Sequence, residues 1–336
     1  MWSSWPLAGD SRGPQRSSGG KELNAPRIGF LFPGQGAQYA GMGKDLFEEF
    51  PAARKIFESA DTILGYPLSK ICFEGPEDKL TRTLHAQPAI FTASMASLAV
   101  IREKFPDLNP VLAAGLSLGE FTALVAAGSF SFEDGLRLVN QRALAMEHAA
   151  RKNPGTMASV MGLSEAACAA IARETGCEVA NLNAPDQIAL SGKVDAIEKA
   201  CALAETQGAK RAIKLKVGGA FHSSLMRDAE NELMAALQKI KIREPQCRFI
   251  PNVLGTPVSN PDEIRALLAR QLVSAVRWTD TIRQSQSENI LLALEIGPGK
   301  VLKGLARRIR PELKVECCGS VAEINALETS LNSVET

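Results

Sequence analysis

Short apolar runs alternate along this chain with amphipathic stretches of helical period, and that alternation predicts an α/β fold. Residues 27–32 read as a buried strand that breaks at the sharp turn Pro33-Gly34-Gln35-Gly36. From residue 44 an amphipathic helical pattern carries Leu46, Phe47, Phe50, Ile56 and Phe57. A second helix over 89–105 follows a break at Gln87-Pro88, gathers Ile90, Met95, Leu98 and Ile101 on one face, and is ended by Pro106 and Pro110. Residues 111–114 form a short apolar strand, and the turn Gly115-Leu116-Ser117-Leu118-Gly119 follows at once. A helix over 120–127 then stops at Gly128, and the acids after Ser131 start another that runs to about residue 150.

Between residues 156 and 217 the pattern changes. Strands at 157–162, 178–182, 187–191 and 211–217 enclose helices at 165–175 and 194–207, with Asn183-Ala184-Pro185-Asp186 joining the middle two strands. The order β-α-β-β-α-β is ferredoxin-like, and it reads as a small subdomain inserted into a larger one. Beyond it come a helix at 225–240, a strand at 249–253, a helix at 263–272 and a final buried strand at 291–296. The large subdomain is therefore divided, 27–155 and 218–325, around a mostly parallel sheet. Residues 326–336 read as a tail and 1–26 as an N-terminal extension.

Composition narrows the classes. The chain has 336 residues, 45% hydrophobic and 22% charged, with a formal net charge of +1. That balance argues against nucleic acid or an anionic membrane as partner, and no apolar run approaches the ~18–20 residues that span a bilayer. Seven cysteines, an odd number with no C-x-x-C pair, suit reduced thiols of a cytoplasmic protein. Residues 1–26 are rich in Ser, Gly and Pro and lack a secretory apolar core. They read as a disordered extension or an early start codon ahead of an organellar transit segment. Nothing apolar is left over for a subunit interface, so a monomer is the default.

The glycine-framed Ser117 has the context of a nucleophile: strand, strained turn, helix. Small residues at Gly115 and Gly119 let strand and helix approach, and the helix N-terminus favours a developing oxyanion. A structural glycine turn with a capping serine would carry the same string. Serine needs a base, and the chain offers three histidines. His222 sits in a loop between a strand and a helix and follows Ser117 in order, whereas His148 lies mid-helix and His85 in a polar stretch. No histidine or cysteine cluster suggests a metal. Gly297-Pro298-Gly299-Lys300 lacks the spacing and the Ser or Thr of a phosphate-binding loop.

Several segments, in order from residue 28 to 309, resemble the malonyl-CoA:acyl carrier protein transacylases and the acyltransferase domains of fatty acid and polyketide synthases. They include Pro33-Gly34-Gln35-Gly36, Gln87-Pro88-Ala89, Gly115-Leu116-Ser117-Leu118-Gly119-Glu120 and Gln141-Arg142 with Met146. Downstream are Asn183-Ala184-Pro185, Gly219-Ala220-Phe221-His222-Ser223, Arg270-Gln271-Leu272 and Glu295-Ile296-Gly297-Pro298-Gly299. The resemblance implies an α/β-hydrolase-like large subdomain. It implies Ser117 as nucleophile, His222 as base, and an oxyanion hole from the backbone N–H groups of Gln35 and Leu118. It implies that a main-chain carbonyl at Gln271 orients the imidazole, since no Asp clearly completes a triad and Asp228 lies on the next helix. Arg142 would bind the malonyl carboxylate through paired hydrogen bonds. Phe221, Asn183 and Leu116 would touch substrate. Leu116 departs from the family, which usually has histidine there, and Ala143 stands where glycine is common. Malonyl-CoA and holo acyl carrier protein are the implied partners, with no cofactor. A trans-acting polyketide acyltransferase, an acyl-thioester hydrolase and a catalytically silent binding module are the competing readings.

Overall fold

The structure, a computed structural model, describes residues 27–332. The extension expected over 1–26 and the last four residues of the expected tail lie outside the described residues.

The chain enters through β1 (Ile28–Phe32), buried along its whole length. The helix expected from residue 44 is two, α1 (Lys44–Glu49) and α2 (Pro51–Leu64). Phe50, forced extended by the proline that follows it (φ −114, ψ 119), separates them. Two short helices absent from the periodicity come next, α3 (Leu68–Glu74) and α4 (Glu77–Thr81). The long helix α5 (Thr83–Lys104) begins six residues ahead of expectation and takes Gln87-Pro88 into its interior instead of breaking there. Pro88 costs one backbone hydrogen bond, but burial of nearly every residue from Ala86 to Ile101 holds the helix together. By length and composition α5 also qualifies to cross a bilayer; here it is the core helix, packed between α2 and α7 (Phe132–Lys152).

β2 (Leu112–Gly115) and α6 (Gly119–Ala126) flank the glycine turn. Gly128, with φ +77, ends the α6 segment, and the Ser131 hydroxyl caps α7 by accepting from the Asp134 N–H. The small subdomain is β3 (Thr156–Met161), α8 (Glu165–Thr175), β4 (Glu178–Ala184), β5 (Gln187–Gly192), α9 (Val194–Thr206) and β6 (Arg211–Lys214). Its strands lie antiparallel in the order β4-β5-β3-β6, the ferredoxin-like sheet. Asn183 and Ala184 belong to β4 and not to the connecting turn, and β6 ends three residues early.

A 3₁₀ turn (Ser224–Met226) leads into α10 (Arg227–Leu237), and β7 is only Arg248–Phe249, shorter than the strand expected over 249–253. After α11 (Pro261–Arg270) a 3₁₀ turn spans Gln271–Val273. The remainder is α12 (Trp278–Ser287), β8 (Leu292–Glu295), α13 (Val301–Ile309), β9 (Lys314–Cys317) and α14 (Val321–Asn332). β8 is thus not the last strand: β9 pairs with it in parallel, and α14 runs across residue 326, where the tail was expected to begin. The large sheet is parallel throughout, in the order β7-β2-β1-β8-β9. The two subdomains are stitched together where Val276 exchanges backbone hydrogen bonds with β4, at 2.8 Å to the Ala180 carbonyl and 2.9 Å from the Leu182 N–H.

Candidate active site

Ser117 stands at the carboxyl end of β2 in a left-handed conformation, φ +52. For a non-glycine residue that costs of order 1–3 kcal/mol and persists only where neighbours enforce it. The enforcement is visible. Asn252, buried below the turn, accepts from the Ser117 N–H at 2.6 Å and donates through Nδ2 to the Gly115 carbonyl at 2.7 Å. The two framing glycines are sterically required. A Cβ on Gly115 would lie 2.0 Å from the Gly119 carbonyl, and one on Gly119 would lie 2.1 Å from the Phe32 oxygen.

The tight turn presents the serine hydroxyl to His222. Ser117 Oγ is 2.8 Å from Nε2, and Nδ1 is 2.9 Å from the main-chain oxygen of Gln271. That carbonyl can only accept, so Nδ1 carries the proton and Nε2 is free to receive one from serine. Burial, and next the charge of Arg142, push the imidazole down to about 4, while the Gln271 and Ser274 backbone pull it up. His222 is therefore neutral at pH 7, as a base must be. Asp228 pairs instead with Lys152 at 2.8 Å. His148 is exposed beside Glu232, and His85 packs half-buried on the Tyr66 ring.

Arg142 arrives from the buried face of α7 with only 1% of its surface exposed. Nη1 donates to Gln87 Oε1 at 2.6 Å, and Nη2 donates to Gln271 Oε1 at 2.8 Å and to Ser117 Oγ at 2.9 Å. The guanidinium lies 5.6 Å from the centre of the Phe121 ring, and Nε is buried with no partner. Burial lowers its pKa to about 10, against the raising charge of Glu120. Among the described residues no carboxylate comes within ion-pair distance of it. A buried cation with no anion in direct contact is costly. Glu120 acts on it only from beyond that distance, and an acyl group bearing a carboxylate is a ligand that would relieve it.

The loop after β1 lies directly on the elbow. The Leu116 N–H donates to the Phe32 carbonyl at 3.1 Å, and a Cβ on Gly34 would meet the Leu116 oxygen at 2.3 Å. Gln35 follows in a turn closed by Ala37 N–H to the Gly34 carbonyl, with Gly36 at φ +104. Its side chain bonds Thr83 Oγ1 at 3.3 Å. Leu118 is buried at the N-terminus of α6, where backbone N–H groups lack partners within the helix. Leu118 thus follows Ser117 directly, while the loop that carries Gln35 touches the elbow at Leu116.

Leu116 is half-buried and packs on the apolar cluster of Leu31, Leu112 and Ile250, facing hydrocarbon where the family places an imidazole. Phe221 is buried in the main core beside His222, which itself has φ +59. Asn183 sits on β4 with Oδ1 buried and unpartnered, and no hydrogen bond joins it to Ser117, His222 or Arg142. Sequence reasoning did not single out Asn252, Glu120 or the side chains of Gln87 and Gln271. Gln87 and Gln271 lay inside family-like segments without an assigned side-chain role. Asn252 had no local signal at all.

Residues 29–321 match the acyl transferase domain family. A malonyl CoA-acyl carrier protein transacylase of Bacillus subtilis (strain 168) is 41% identical over 293 residues, 86% of this chain and 92% of the relative. An acyl-carrier-protein-S-malonyltransferase structure from Bartonella henselae superposes with a TM-score of 0.87 at 42% identity, covering 91% of this chain and 99% of that one. A malonyl-transacylase solved in complex with its type II polyketide synthase acyl-carrier protein matches with a TM-score of 0.87 at 36% identity, over 90% and 99%. With its elbow, its imidazole and its buried guanidinium in one cluster, the chain belongs to the acyl transferase family, among relatives named for malonyl transfer.

Proposed function

We propose that this chain transfers a malonyl group from malonyl-CoA to the phosphopantetheine thiol of acyl carrier protein. The observation that carries the reading is the Ser117 hydroxyl, held between the neutral imidazole of His222 at 2.8 Å and the guanidinium of Arg142 at 2.9 Å. One neighbour takes the serine proton; the other fits the far end of a malonyl group.

In the first half-reaction Ser117 Oγ bonds to the thioester carbon as its proton passes to His222 Nε2. The Leu118 and Gln35 backbone N–H groups receive the oxyanion. Collapse breaks the carbon–sulfur bond, and the imidazolium returns its proton to the leaving CoA sulfur. The carrier thiol then repeats the sequence in reverse, giving a ping-pong cycle through malonyl-Ser117. The Gln271 carbonyl does the orienting work that a carboxylate does in a triad. Arg142 leaves the serine oxygen for the substrate carboxylate, and Phe221, Leu116 and Asn183 bound the acyl and pantetheine path. The cycle calls for no cofactor or metal, since malonyl-CoA is a substrate. A monomer in the cytoplasm, away from nucleic acid and membrane, agrees with the composition; any import role for residues 1–26 is secondary.

Mass spectrometry of the intact protein after brief exposure to malonyl-CoA should find a malonyl adduct, mapped to Ser117 and absent from Ser117→Ala. Added holo carrier protein should then carry it off as malonyl carrier protein. Release of free malonate instead would make the chain a thioester hydrolase, and no adduct would leave a binding module. The neighbour bound to a polyketide carrier supports testing carriers of both pathways, because the preferred carrier decides between fatty acid and polyketide service.

A further inference from the structure

Glu120 lies three residues past the nucleophile in the first turn of α6, with none of its surface exposed. The catalytic sequence above does not use it. Its Oε2 accepts from the Asn252 N–H at 3.0 Å and from Gln271 Nε2 at 2.7 Å, while Oε1 is buried without a partner. Burial pushes its carboxyl up to about 7; bonds from Asn252 and Gln271 and the charge of Arg142 work against that rise.

The Gln271 amide links this acid to the site. Its Nε2 end donates to Glu120 Oε2 and to the Ser117 carbonyl at 3.0 Å, and its Oε1 end accepts from Arg142 Nη2. The Ser117 carbonyl only accepts and the guanidinium only donates, so the NH₂ end of the amide must face the Ser117 carbonyl, with Glu120 Oε2 beside it. The oxygen is thereby aimed at the guanidinium. An amide turned the other way would set its donors against Arg142 and an oxygen against the Ser117 carbonyl, losing both of those bonds. Glu120 is also the acid whose charge acts on Arg142 from within the protein.

We propose that Glu120 is a positioning residue for acyl selectivity: through the one-way Gln271 amide it holds Arg142 where the substrate carboxylate arrives. The proposal rests on the reading of Arg142 given above. It assigns Glu120 no contact with substrate.

The test compares kcat/KM for malonyl-CoA and acetyl-CoA with holo carrier protein in the full chain. The variants are Glu120→Gln, Gln271→Met, their combination, and Arg142→Ala. Gln271→Met removes the amide but keeps the main-chain carbonyl for His222. In Glu120→Gln the malonyl-to-acetyl ratio should fall about tenfold, as for loss of one charge-assisted contact. The loss should appear in KM for malonyl-CoA more than in kcat. The double variant should be no less selective than Gln271→Met alone, because the two residues act in series. Equal losses for both acyl groups, or losses that multiply in the double variant, would overturn the proposal. If Glu120→Gln does not fold, Glu120→Asp, which keeps the acid but draws it back from Gln271 Nε2, decides by the same ratio. Arg142→Ala keeps the two readings apart: equal losses there remove the Arg142 assignment itself. A selective loss at Arg142 with an unselective one at Glu120 removes only the proposal.

Discussion

Arg142 donates from Nη2 to Ser117 Oγ at 2.9 Å, so the cation placed for the substrate also rests on the nucleophile. The serine oxygen accepts from arginine while its own proton points to His222 Nε2. Both neighbours are buried, in a setting where such interactions are stronger than in water.

Removing the guanidinium should separate the two acyl groups. Arg142→Ala is expected to lower kcat/KM for malonyl-CoA by about 10- to 100-fold, from the ~1.5–3 kcal/mol of a charge-assisted hydrogen bond. Acetyl-CoA has no carboxylate and should lose less. Steady-state transfer with both thioesters checks this, and equal losses would sink the assignment.

The acid limb of the pH profile should be displaced. His222 works as the neutral imidazole, so activity is lost as pH falls through its pKa. Burial and Arg142 hold that value near 4, below the usual 6.5. The limb in kcat/KM, which reports the free enzyme, should therefore fall well under pH 6. In kcat it should lie higher, because a bound malonyl carboxylate offsets the Arg142 charge. Coincident limbs near 6.5 in both parameters would contradict the geometry.

Asn252 braces the strained turn, and its loss should cost stability together with activity. Asn252→Ala leaves the Ser117 N–H and the Gly115 carbonyl without their partner. Unpaired buried groups cost about 1–3 kcal/mol each, enough to lower the midpoint of urea denaturation clearly. Asn252→Asp keeps the acceptor for Ser117 but sets an oxygen against the Gly115 carbonyl, so it should not restore turnover. An unchanged midpoint in Asn252→Ala would show that the turn is braced elsewhere.

Gly119→Ala should be among the most damaging single-methyl changes in the chain. The added carbon would sit 2.1 Å from the Phe32 oxygen, backbone against backbone, so α6 or β1 must move. A loss of at least about 3 kcal/mol is expected, at the severe end for one substitution. Soluble expression and thermal unfolding measure it directly. By contrast Gly304→Ala, whose Cβ would meet nothing within 4 Å in α13, should be neutral or mildly stabilising.

The parts of the fold legible in the sequence are those whose signal is local. β1, the elbow and the β-α-β-β-α-β insert appear in spacing alone, since side-chain period and turn residues act over a few positions. The errors have local causes too. Pro88 reads as a break in isolation, yet it lies inside α5, where buried packing outweighs one missing hydrogen bond. β9 and α12 were invisible because Lys314–Cys317 and Trp278–Ser287 carry mixed patterns that only their neighbours resolve.

The Ser117–His222 pairing was legible for another reason: few histidines were available, and ordered family-like segments agreed on one. What those side chains lean on was not. Asn252 reaches Ser117 across 135 residues of chain and Gln271 reaches it across 154. Hydrogen bonds at such separations leave no period and no spacing in the intervening sequence. Short-range chemistry was therefore enough to name the nucleophile and its base. Holding the serine in a left-handed turn, and aiming an arginine through an amide, depended on packing that brings distant segments within 3 Å.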